Sequence, residues 1–184
     1  LGWLRAAGLA FIRGDGADKN ERASVLKAID ASYPANNEDL NAELVRMLAY
    51  LNAPGVVGRT LSLMDSAPPP VAPDWAALAE RNAGYGKTVK GMLKALPPAR
   101  VIHNVYALRC VPGPWDRNER ERFFTWLKRL NAKSGGKSYG GFHKDLTKET
   151  LAIATPEERK RLDDFVPANA SDPFANLPPV KGPG

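Results

Sequence analysis

Apolar residues recur along this chain at intervals of three and four positions, and nowhere do they alternate with polar ones over the length of a strand. A chain patterned in this way buries its apolar side chains by laying helix against helix. In "EDLNAELVRMLAYLN" the stripe is Leu40, Leu44, Met47, Leu48 and Leu51, preceded by Asn37 as an N-cap. "DKNERASVLKAIDASYP" carries a second stripe, Arg22, Val25, Leu26, Ile29 and Tyr33, ended by Pro34. The best-marked helix is "DRNERERFFTWLKRLNAK". Asp116 caps it, acids come early, bases come late, and Phe123, Phe124, Leu127 and Leu130 form its apolar face. "PPARVIHNVYALRCV" turns Val101, Ile102, Val105 and Leu108 inward, and Thr155 with Glu158 makes a capping box before a final helix. The expected class is all-α.

Short breaks such as Pro54-Gly55 between stripes imply antiparallel neighbours and hint at a degenerate helical-hairpin repeat. The expected organisation is helical hairpins over 1–67, a Pro-rich spacer "PPPVAP" over 68–73, a second helical segment over 74–166 and a Pro/Gly linker over 167–184. Asp74 is expected to cap a helix beginning at Trp75, and "NAGYG" to interrupt the helical run that follows. The chain begins with Leu in a helix already under way, without the basic start and cleavage site of a signal peptide, and stops within a Pro/Gly stretch; it reads as a segment of a longer protein.

Composition narrows the function classes only a little. A hydrophobic fraction of 43% with 25% charged residues is ordinary globular usage. The net charge of +6 permits nucleic acid, acidic protein or anionic lipid as partner and selects none of them. Cys110 is the single cysteine, so neither an intrachain disulfide nor a Cys-rich zinc or haem site can form. No apolar run approaches the roughly 20 residues that span a bilayer.

Two stretches imitate a nucleotide-binding loop: "GYGKT", with Gly86-Lys87-Thr88, and "SGGKS", with Gly136-Lys137-Ser138. A P-loop needs a further glycine five residues upstream, where backbone N–H groups turn around the phosphates. Those positions hold Arg81 and Asn131, and both stretches follow helical rather than strand patterns. Neither is a P-loop, and their glycines are expected to end helices.

His103 and His143 are the only histidines. Neither has a His, Cys or carboxylate spaced to complete a metal site on one helical face, so a structural role is expected, with general-base chemistry as the alternative. Cys110 beside Arg109 lacks a base to activate it. The densest basic set includes Arg117, Arg120, Arg122, Lys128, Arg129 and Lys133, interleaved with aromatic rings. Helical spacing sends Phe123 and Phe124 to the core, leaving Trp115, Trp126 and Tyr139 as candidate exposed platforms. No catalytic, cofactor-binding or metal-ligating residue is assigned. The candidate interaction surface is Trp115, Tyr139 and Phe142, at and beside "SGGKSYGG", which is expected to be a glycine-rich loop.

Together "LAYLNAPGVV", "RVIHNVYALRCVPGPWDRNERERFFTWLKRL" and "GGKSYGGF", in that order, resemble the α-helical, HEAT-like segment of large bacterial secreted proteins. Those proteins join a β-propeller dehydrogenase-like region to a C-terminal c-type haem domain. The resemblance spans about residues 1–166, and "NLPPVKGPG" is similar to the start of the linker toward the haem domain. It implies a non-catalytic scaffold within an extracytoplasmic redox protein. Its partners would be the flanking domains or another protein, and haem would be carried only by a domain downstream. Two alternatives stay open: a basic repeat that binds nucleic acid or an acidic partner, and a small helical enzyme using His103 or His143.

Overall fold

The computed structural model describes residues 1–14, 16, 18–68, 81, 83–113, 115–133 and 138–162, and among them the chain forms helices and turns with no strand. The all-α expectation holds. The helices are α1 (Gly2–Arg13), α2 (Lys19–Ile29), α3 (Glu38–Tyr50), α4 (Val56–Asp65), α5 (Ala83–Ala95), α6 (Ala99–Leu108), α7 (Arg117–Asn131), α8 (Tyr139–Ala152) and α9 (Pro156–Leu162). None of them is long and apolar enough to cross a membrane.

Side-chain caps set most of the helix starts. Asn37 Oδ1 accepts from the Leu40 N–H at 2.8 Å and opens α3. Asp116 and Glu119 form a reciprocal capping box on α7, and Thr155 and Glu158 do the same ahead of α9. Asp18 with Glu21 caps α2 in the same way. Each such cap contributes about 1 kcal/mol by satisfying N–H groups that have no partner inside the helix. The opening of α4 is different: Gly55 takes φ +67°, a left-handed conformation that costs glycine nothing.

Helix α3 touches α1, α2, α4 and α6. Contacts continue from α4 to α6 and α7, from α6 to α7, and from α7 to α8 and α9. One apolar core runs through these layers, with Leu44 and Leu48 from α3, Leu61 and Met64 from α4, Val105 and Leu108 from α6, and Phe123 and Phe124 from α7. Residues on both sides of the 68–73 stretch therefore share that core. Burying each such side chain contributes roughly 1.5–3 kcal/mol. Helix α7 reaches α4 at Gly58 through a side chain: a Cβ there would stand 2.9 Å from Glu119 Oε1.

Two buried polar contacts tie the first half of the core together. Asn41 accepts from the Ala35 N–H at 2.7 Å and donates to the Ala35 carbonyl at 2.8 Å, pinning the loop before α3. The Thr60 hydroxyl donates to the Val56 carbonyl, so Tyr33, 2.8 Å away, donates to Thr60. Burial pushes the Tyr33 phenol above its ordinary pKa, against the opposing pull of Thr60 and Arg59.

Two expectations about glycine are corrected. Gly84 and Gly86 do not interrupt a helix: "AGYGKTVKGMLKA" is continuous as α5. Helix α8 begins at Tyr139, which places Gly140 and Gly141 in its first turn rather than in a loop. A helix tolerates glycine at about 1 kcal/mol per residue relative to alanine, a cost that neighbouring turns can absorb. The Asp74 cap, the 68–73 spacer beyond Pro68, Gly135 and Gly136, and the 167–184 linker lie outside the described residues.

Candidate functional site

The structure separates Trp115 from Tyr139 and Phe142, the other two residues of the expected interaction surface. Trp115 precedes α7 and Tyr139 follows it, so the 15 residues of that helix, about 22 Å at 1.5 Å per residue, stand between them.

Trp115 belongs to the core, with only 6% of its surface exposed, and this corrects its reading as an exposed platform. The indole Nε1–H donates to the Val111 carbonyl at 3.1 Å. Its ring meets Phe123 edge-on, with centroids 5.1 Å apart. On its face lies the Arg120 guanidinium, 4.0 Å from the ring centroid. Helical spacing gave no guidance here because Trp115 stands before the first turn of α7.

Arg120 is itself 3% exposed. Its Nε donates to Glu158 Oε1 at 2.8 Å, which ties α9 to α7. Its two terminal nitrogens have no hydrogen-bond acceptor in the structure, so the indole face is what stabilises that end of the cation. Burial alone would raise the Glu158 pKa; the Thr155 N–H and Arg120 outweigh it and hold the carboxyl below its ordinary value.

Tyr139 and Phe142 do come together, joined by a residue outside the expected set. Phe142 stacks on Tyr106 of α6 at 6.0 Å, and Tyr139 lies tilted against Phe142 at 6.5 Å. Both are half-buried. The Tyr139 hydroxyl donates to the Leu130 carbonyl at 2.9 Å, tying the start of α8 to the end of α7, and burial raises its pKa. Tyr106 remains exposed on the outer edge of this group, with Arg109 stacked 3.5 Å above its ring. Its position opposite the Val101, Val105 and Leu108 stripe was the signal that could have marked it as a surface aromatic.

Both histidines link helices. His103 Nε2 lies 2.8 Å from the Ala42 carbonyl of α3, and His143 Nε2 lies 2.7 Å from the Leu127 carbonyl of α7. A carbonyl only accepts, so each ring carries its proton on Nε2. Among the described residues no group of three or more His, Cys, Asp or Glu side chains is placed to hold a metal ion.

Several cations of the basic set are paired. Arg117 bonds Glu121 at 2.7 Å, Arg122 bonds Asp65 at 2.8 Å, and Arg129 stacks on Trp126, whose Nε1–H donates to Asp65. Comparisons with protein-family models, with curated proteins and with solved structures returned no match.

Proposed function

We propose that this chain is a non-catalytic, HEAT-like helical scaffold. In this reading α3 with α4 and α6 with α7 are hairpins packed on one another, with α1 and α2 resting on α3 and with α8 and α9 resting on α7. The observation that carries it is the order of the helix contacts, which pass from α1 and α2 to α3, from α3 and α4 to α6 and α7, and from α7 to α8 and α9. Stacked repeats make contacts of this kind, between neighbours along one axis. The histidines support the same reading, because His103 and His143 each bind a carbonyl of an adjacent helix.

On the sequence resemblance, the scaffold would join a propeller region to a c-type haem domain in an extracytoplasmic redox protein. The lone Cys110 cannot supply the paired cysteines of a haem attachment site, so the haem would belong to the downstream domain. A nucleic-acid reading draws less support, since Arg117, Arg120 and Arg122 of α7 face carboxylates of the chain itself.

The reading frame beyond Gly184 tests the redox assignment. A Cys-x-x-Cys-His motif downstream supports a haem-domain scaffold. An unrelated domain or a stop codon overturns the redox assignment and leaves the stacking of the helices to be tested separately.

A further inference from the structure

Helix α5 stands apart from the stack. Among the described residues, none of its side chains belongs to the apolar core or packs against it. It nevertheless carries an apolar stripe. Tyr85, Val89 and Met92, with Leu96 directly after the helix, follow at intervals of four, three and four and so share one face. That face looks outward: Tyr85 is 74% exposed, Met92 65% and Leu96 47%. The covered flank is the neighbouring one, where Gly86 is buried and Leu93 half-buried. A row of large apolar side chains in water marks a surface that meets something else.

The far side of the helix is basic. At 100° per residue Lys87, Lys90 and Lys94 lie opposite the stripe, and α5 contains neither Asp nor Glu. Lys133, just past α7, brings a further cation alongside, its Nζ donating to the Lys94 carbonyl at 3.2 Å. Among the described residues, Lys87, Lys94 and Lys133 are not paired with a carboxylate, in contrast to Arg117, Arg120 and Arg122 of α7.

The two faces together select the partner. A peptide docked on the stripe would leave the lysines behind it unused. Nucleic acid held by the lysines would leave the stripe in water. The boundary of an anionic bilayer takes both, with apolar side chains among the acyl chains and flexible lysine stems reaching back to the headgroups. We propose that α5 is an interfacial helix by which the chain binds the surface of an anionic bilayer without crossing it. The proposal goes beyond the scaffold reading and does not rest on it.

Co-sedimentation of the full chain with vesicles of phosphatidylcholine alone, and of phosphatidylcholine mixed with phosphatidylglycerol, tests it. Binding to the mixed vesicles is expected to be about tenfold or more tighter, and to weaken as salt is raised. Met92→Ser, which changes no charge, and Lys94→Glu are each expected to weaken it by about tenfold. Lys27→Glu, the same charge change made on α2, should weaken it far less. Equal effects of the two lysine changes, or unchanged binding by Met92→Ser, would show attraction to net charge alone and overturn the proposal. Failure to bind the mixed vesicles, whether or not duplex DNA is bound instead, would overturn it as well.

Discussion

Asn41 sits one turn ahead of Leu44 and Val45 on the buried side of α3, where an apolar residue would fit the stripe, and it holds both polar groups of Ala35 instead. Replacing it with Leu would strand a buried N–H and a carbonyl. Asn41→Leu is therefore expected to lose about 1–3 kcal/mol in urea unfolding despite the added apolar surface; unchanged stability would mean that the Ala35 pairing is idle. Glu158 allows a prediction in pH. Its folded pKa is depressed, so its stabilising contribution is complete above the unfolded glutamate value, about 4.3, and is lost as pH falls through the lower folded value. Glu158→Gln should thus be less stable than wild type near neutrality, and the gap should close in acid. A gap that stays constant with pH would show that the carboxylate charge is not what ties α9 to Arg120. At this scale the sequence was only partly legible. The apolar stripes announced Phe123, Phe124 and Leu127, and all are buried. Trp115 and Arg120 were not legible, because their burial depends on each other's contact and on Glu158 arriving from another helix.

Helices were easier to recognise than their glycines. Caps at Asn37, Asp116 and Thr155 could be read because they act within one turn. The run from Ala83 to Ala95 could not, because glycine lowers helix propensity without forbidding a helix. Two helical glycines should respond differently to alanine. A Cβ on Gly8 would meet Met47 Cε at 3.7 Å, an ordinary contact, so Gly8→Ala should gain up to about 1 kcal/mol. On Gly58 the same atom would displace Glu119, whose carboxylate also caps α7 by accepting from the Asp116 N–H at 3.0 Å. Gly58→Ala should therefore gain nothing or lose stability. Thermal unfolding of the two variants compares them directly, and equal gains would show that the α4–α7 approach is not constraining.

At the scale of the molecule, one core joins α3 and α4 to α6 and α7, and the polar links repeat that order. Arg100 of α6 reaches Asp39 of α3, lowering the Asp39 pKa, and Arg122 of α7 reaches Asp65 of α4. All-helical character was legible because periodicity is local; which helices meet was not, because pairing between separate elements leaves no fixed spacing in the sequence. Hydrogen exchange of the wild-type and Leu4→Ala proteins, resolved helix by helix, tests the stacking most directly. If helices contact only their neighbours along the stack, weakening α1 should speed exchange in α1, α2 and the adjoining turns of α3 while α7 and α8 stay slow. Equal loss of protection in every helix would contradict the stack and show a single undivided bundle.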